Sequence, residues 1–284
     1  MLLTTMAIIH QREIGLPRER VRHYALAVDE LLTRWQKRKT GEGDRDVSSE
    51  LAAVQDNGPK LRRIEEMLPY HVHLQTRDTT EDDVAGLPRG QALTLLDSPL
   101  YLGDTGLAAQ FLDYVDHRAG LLSGQGGAEG RPSTYAFPHR TFQEYLAGCH
   151  IVGMRDLYRE VWERAREGDA WQLAVQMGAE ALLYNRDNTN GLLDLAYHLC
   201  PASEPGPDPA LWRAALWSGQ MAVLLERAVI EADRGSPDGG PAYLERLVPR
   251  LVRILEEGHL GALERTEAGN ALAQLGDPRP GVGV

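Results

Sequence analysis

Tyr135-Ala136-Phe137-Pro138-His139-Arg140-Thr141-Phe142-Gln143-Glu144-Tyr145-Leu146-Ala147-Gly148 is the most specific stretch of this chain. Tyr135 to Phe137 read as the end of a strand, which Pro138 breaks. Thr141-Phe142-Gln143-Glu144 reads as a capping box, with the Thr141 hydroxyl accepting from the Glu144 amide while Glu144 reaches back. From there Phe142, Tyr145, Leu146, Cys149 and Val152 fall on one face at helical spacing. His139 thus arrives just ahead of a helix N-terminus, where unpaired amides and the positive end of the dipole favour an anion such as a phosphate. The plainer reading of the same residues is a loop histidine satisfied by carbonyls, a helix cap at Glu144 rather than an acid catalyst, and core aromatics at Phe137, Phe142 and Tyr145.

Outward from this stretch, Gly120-Leu121-Leu122-Ser123, the Gly-rich Gly124 to Gly130, and Thr134 to Phe137 read as a β-hairpin. Helices flank it. Leu107, Phe111, Leu112 and Val115 form one apolar stripe, and Leu61, Ile64, Met67, Leu68 and Val72 form another. A first helix from Pro17 carries Val21, Tyr24, Ala25, Val28, Leu31, Leu32 and Trp35. Between the first two helices Thr40 to Pro59 reads as a loop with a short helix at Ser49–Val54. Helices followed by such a hairpin predict a winged helix, with the hairpin as its wing.

Past Met154 the period is helical to the end, over approximately Arg155–Arg166, Ala170–Tyr184, Gly191–Leu199, Pro209–Asp233, Pro241–Glu257 and Gly261–Leu275. Pro201 to Pro209 and Gly235 to Gly240 are the clearest breaks. Short paired helices predict a HEAT-like arrangement, although no fixed sequence period repeats. The expected fold is therefore mainly α: residues 1–153 a helical and winged-helix domain with one short hairpin, residues 154–284 a HEAT-like helical domain. Trp162, Trp171, Trp212 and Trp217 are expected to fill the second core.

Hydrophobic residues are 43% and charged residues 25% of the chain, an ordinary globular composition that excludes global disorder. The formal net charge of −11 argues against nucleic acid as a partner. One basic run, Arg34-Trp35-Gln36-Lys37-Arg38-Lys39, gives residues 1–40 a local charge of +4, which cations at a helix C-terminus explain. Two cysteines, Cys149 and Cys200, suit a reducing compartment. The brief apolar N-terminus has neither the basic lead nor the cleavage site of a signal peptide, and no run approaches the roughly 20 apolar residues of a membrane span. These features predict a cytoplasmic protein without a membrane partner. The chain opens inside an apolar segment, as an interior piece of a longer protein would.

His71-x-His73 invites a metal reading, but residues two apart on a helix point to opposite sides. Cys149-His150 diverge likewise, and Cys149 lies on an apolar stripe, where a thiol is inert. No nucleophile, base and oxyanion donor can be assembled, so an independent enzyme is not expected.

The pattern Phe-x-His-x-Thr-Phe-Gln-Glu-Tyr-Leu-Ala at Phe137 to Ala147 resembles the winged-helix segment that follows the ATPase core in NACHT proteins of the STAND class of signalling NTPases. The resemblance extends over Leu2–Lys39 and Leu61–Asp116. It implies that the winged helix folds over bound nucleotide and that the motif histidine, here His139, contacts the β-phosphate of ADP in the inactive state. Phe137, Thr141, Phe142, Glu144 and Tyr145 match the remainder of the motif. The implied function is that of a regulatory C-terminal part of a NACHT NTPase, controlling nucleotide-dependent activation and oligomerisation in signalling or defence. Implied partners are a NACHT ATPase core in cis or trans, further copies of the chain on activation, and a protein effector.

The sequence departs from that family in lacking Gly-x-x-x-x-Gly-Lys-Ser/Thr and an apolar strand ending in paired acids. Gly124 to Thr134 has the wrong spacing and no Lys. The chain is accordingly not expected to hydrolyse ATP or to need a cofactor alone; ADP or ATP with Mg would belong to the intact parent. Glu267 to Arg279 resembles the end of a helical linker that precedes a formylglycine-generating-enzyme-like domain in some bacterial NACHT-type proteins. The competing reading is a stand-alone helical scaffold that binds a protein and no nucleotide. Water-exposed Leu2, Leu3, Ile8 and Ile9 would then need to be tolerated.

Overall fold

The computed structural model describes residues 19–37, 48–75, 86–118, 122–127, 131–235 and 239–282, excepting the side chains of residues 31–37, 55, 117 and 118. The apolar N-terminus, Pro17, and the side chains of the basic run Arg34–Lys39 therefore lie outside the described residues. Two compact units are present, Met1–His150 and Ile151–Val284. Thirteen α-helices and one three-stranded sheet lie among the described residues.

In the first unit the chain runs through α1 (Arg20–Lys37), α2 (Ser49–Asp56), α3 (Gly58–Gln75), β1 (Leu87–Pro88), α4 (Arg89–Leu96), α5 (Thr105–Arg118), β2 (Ser123–Gln125), β3 (Thr134–Ala136) and α6 (Arg140–Gly153). The sheet is antiparallel in the order β1-β3-β2, with Tyr135 opposite both Leu87 and Gly124. Three helices, a short first strand and a terminal hairpin make this a winged helix, as the sequence predicts. The first arm is Ser123–Gln125 and includes Gly124, where the sequence suggests Gly120–Ser123, of which residues 120 and 121 lie outside the described residues. A Cβ on Gly124 would stand 2.2 Å from the Pro132 side chain, so only glycine lets the arms close.

The first strand is a finding the sequence did not announce. It is two residues long and half proline, and Pro88 tolerates this place because β1 lies at the sheet edge. Within the stretch Thr40–Pro59, whose first residues 40–47 lie outside the described residues, the short helix expected at Ser49–Val54 is present as α2. Ser48 accepts from the Leu51 amide at 3.2 Å and caps α2, and Pro59 already lies in the first turn of α3. The core beneath the sheet gathers Leu61, Ile64 and Leu68 of α3, Phe111 and Leu112 of α5, and Tyr135 of β3.

The second unit is helical: α7 (Leu157–Glu167), a 3₁₀ turn (Asp169–Trp171), α8 (Gln172–Tyr184), α9 (Thr189–Leu199), α10 (Pro209–Leu225), α11 (Arg227–Ala232), α12 (Gly239–Glu257) and α13 (Ala262–Leu275). The pairs α9–α10 and α12–α13 pack most closely, and α10 joins them. Trp212 and Trp217 of α10 and Trp171 of the 3₁₀ turn are fully buried, while Trp162 is only half-buried. Ser218 donates its hydroxyl to the Ala196 carbonyl at 2.7 Å and shares a 2.7 Å hydrogen bond with the Tyr243 hydroxyl. The Pro-rich connector after α9 is held by α12: Arg246 Nε donates to the Cys200 carbonyl at 2.7 Å, and Arg250 Nη2 to the Ser203 carbonyl at 2.8 Å.

The single helix predicted over Pro209–Asp233 is two helices. Glu226 interrupts it with φ 64° and ψ 137°. The hydrophobic period runs through the break unchanged, so periodicity has no signal for it.

Candidate functional site

Strand β3 is the middle strand of the sheet, and its central Tyr135 is buried and hydrogen-bonded to Arg89, which also pairs with Asp113 at 2.9 Å. This fixes the point from which Phe137, Pro138 and His139 lead out. Phe137 and His139 are half-buried and Pro138 is exposed. The His139 carbonyl accepts from the amides of Phe142 at 3.1 Å and Gln143 at 3.2 Å, so His139 is the residue immediately before the first turn of α6. The next amides, those of Arg140 and Thr141, have no carbonyl one turn back, as at every helix start.

The capping box predicted at Thr141–Glu144 does not form. The helix begins at Arg140, two residues earlier than that motif requires, and Thr141 and Glu144 lie inside it. Glu144, which is buried, accepts instead from Arg140 Nε at 3.0 Å, a pairing four residues apart on one helical face. The guanidinium one turn back gives the carboxylate a charge-assisted bond between two ionised groups.

The remaining motif side chains pack inward. Phe142, Tyr145, Leu146, Cys149 and Val152 are all buried, as the helical period predicts. The Phe142 ring lies 6.3 Å from the His139 imidazole, centroid to centroid, and 5.3 Å edge-on from Tyr24 of α1. Tyr24 also stacks on Tyr145 at 5.5 Å. Tyr145 accepts from Arg62 Nη2 of α3 at 3.2 Å. Burial pushes the Tyr145 phenol far above its ordinary value, so it stays neutral, with Cys149 adding to the rise and Arg62 opposing it. Gln143 Nε2 donates to Nδ1 of the buried His73 at 3.2 Å, which fixes the proton of a neutral His73 on Nε2.

Tyr24, Arg62 and His73 were not singled out by the motif. Tyr24 carried a signal only as one position of an apolar stripe. Arg62 carried none, since it belongs to the charged positions, and His73 drew notice only as half of His71-x-His73. His71 is half-buried, and His73 is buried and bonded to Gln143 of α6. Among the described residues no group of three or more His, Cys, Asp or Glu could hold a metal ion. No described helix is long and apolar enough to cross a membrane.

As chemistry, the site offers an imidazole, the start of a 14-residue helix and the exposed guanidinium of Arg140. These can meet an anion at one edge. They provide no surface for a base or a ribose, so a nucleotide would have to be held mainly by another domain.

Residues 20–151 match the family model of the winged helix-turn-helix domain C-terminal to NACHT, slightly less than half of the chain. The match spans α1 to the interior of α6, including the whole sheet and His139. No curated protein and no solved structure matches the chain. The first unit therefore carries a NACHT-associated winged-helix region.

Proposed function

We propose that this chain acts as the regulatory C-terminal part of a NACHT-class NTPase, closing over ADP through His139 and holding the switch off. The observation that supports this most is the delivery of His139, by a rigid central strand, to the first turn of α6 within a region similar to the domain that follows NACHT. The ATPase core, with its Mg-bound nucleotide, is supplied in cis or trans. The chain neither hydrolyses ATP nor retains ADP alone, because its own residues reach only the phosphate edge. Exchange of ADP for ATP removes the preference for the closed state, and the released region permits oligomerisation and activation of an effector in cytoplasmic signalling or defence. The helical second unit transmits or scaffolds that change.

A DNA-binding role fits less well. In a winged helix that reads DNA, the helix preceding the wing enters the major groove. Here that helix is α5, whose exposed positions over its first turns are Thr105, Gly106, Gln110 and Asp113, none of them basic. Ser48 at the start of α2 donates to Gln110 Oε1 at 2.7 Å, and Arg89 is committed to Asp113.

The test is ADP dissociation from the full chain joined to its ATPase core. His139→Ala is expected to speed ADP release by about 10-fold or more, the scale of one lost charge-assisted phosphate contact, and to raise basal oligomerisation. An unchanged ADP off-rate would overturn the role of His139.

A further inference from the structure

The motif helix is held from both neighbouring helices by side chains that no motif includes. Tyr24 of α1 lies in the notch between Phe142 and Tyr145, edge-on to the first at 5.3 Å and stacked on the second at 5.5 Å with 25° between planes. Arg62 of α3 spreads its guanidinium over three acceptors: the Tyr145 hydroxyl at 3.2 Å, Glu66 Oε1 at 3.0 Å, and Asp29 Oδ1 of α1 at 3.4 Å. One side chain thus ties α1, α3 and α6 together, and α1 meets α6 a second time through Tyr24. Tyr145 is wholly buried, so its hydroxyl would be costly to leave unpaired. Phe142 is shared: Tyr24 lies against it, and His139 lies 6.3 Å from it.

We infer that Tyr24 and Arg62 are positioning residues that lock α1 onto the motif helix and, through Phe142, set the pose of the His139 imidazole. The contact chain is His139, Phe142, Tyr24 and α1, closed by Tyr145, Arg62 and Asp29. Each link is an aromatic face or a forked hydrogen bond, which has a few discrete arrangements rather than a continuous range. A displacement of α1 is therefore passed to His139, and restraint of His139 by an anion is passed back to α1. The functional meaning of this linkage rests on the nucleotide-switch reading, but the linkage itself is a property of the chain without nucleotide.

The experiment is the imidazole carbon–proton cross-peak of His139 in the full chain, assigned by its loss in His139→Ala. Tyr24→Leu removes the ring between Phe142 and Tyr145, and Arg62→Met removes the fork while keeping the aliphatic stem. Both are expected to move the His139 peak, in the direction that Phe142→Leu moves it. Tyr24→Phe, which keeps the ring, is expected to leave the peak at its wild-type position. Leu51→Ala in α2, a core truncation outside the contact chain, is expected to leave it unmoved as well, which separates positioning from general loosening. If either strong variant fails to fold, Arg62→Lys decides, since it keeps the charge but cannot reach all three acceptors. An unmoved peak in the folded Tyr24 and Arg62 variants, or an equal movement in Leu51→Ala, would overturn the inference. ADP release from the core is a separate readout, so failure of the nucleotide reading leaves this result standing.

Discussion

At Glu65 on α3 a buried carboxyl group has one oxygen, Oε2, with no hydrogen-bond partner. Burial raises its pKa well above the ordinary carboxylate range, with Arg62 opposing the rise and Glu66 and Asp29 adding to it. The native state thus keeps a proton that the unfolded chain releases near pH 4.5. Stability must fall as pH climbs from that value toward the raised one, because there the folded state binds more protons. Glu65→Gln is expected to remove this slope and to raise the midpoint of thermal unfolding at neutral pH, checked by melts between pH 5 and 9. His150 on α6 works in the opposite direction. Burial, helped by the neighbouring His71, lowers its pKa to about 4. The unfolded chain takes up a proton near pH 6.5 that the native state refuses, so stability falls as pH drops from 6.5 toward 4, by on the order of 3 kcal/mol when complete. His150→Leu is expected to flatten this acid limb. An acid limb of unchanged steepness would show that the histidine is protonated in the fold.

Among the elements, the break between α10 and α11 is the place where backbone geometry most opposes the residue present. Glu226 holds φ 64° and ψ 137°, a left-handed conformation that a Cβ disfavours. Glu226→Gly is expected to stabilise the second unit by about 1 kcal/mol, the strain relieved exceeding the entropy glycine adds to the unfolded chain; chemical denaturation of the full chain measures it, and a loss of stability would mean that the Glu226 side chain contributes more than its backbone costs. This break and the edge strand β1 mark where sequence reading ended. A left-handed residue within an unbroken apolar period leaves no compositional trace, and a two-residue strand containing proline is too short for alternation to register. The wing and α6 were legible for the opposite reason: a Gly-rich connector leading into the Thr134-Tyr135 arm, then a clear change of period at Pro138. The capping box was misplaced by two residues: the helix starts at Arg140, whose side chain takes Glu144, and a pattern of residue types does not include that competition.

For the whole molecule, the formal charge of −11 sets a condition on any role with nucleotides. A polyphosphate is repelled by such a chain at long range, so contact must come from a local feature strong enough to matter at short range. On the proposed reading, the start of α6, with His139 and Arg140, is that feature in the first unit. On that reading, the same charge disfavours a long nucleic acid more than a single diphosphate edge, which meets only the start of α6. The winged-helix region was readable from one motif because the motif joins strand, connector and helix in consecutive residues. Its supports, Tyr24, Arg62 and His73, come from residues between about 70 and 120 positions away, and only the folded chain brings them to it.

The most direct measurement is the imidazole nitrogen signals of His139 in the full chain bound to its ATPase core, recorded with ADP and then with ATP. The account predicts that ADP moves these signals, through a hydrogen bond to phosphate, and that ATP returns them toward their nucleotide-free positions as the region swings away. Signals that stay in place with both nucleotides, in a complex shown to hold them, would contradict it.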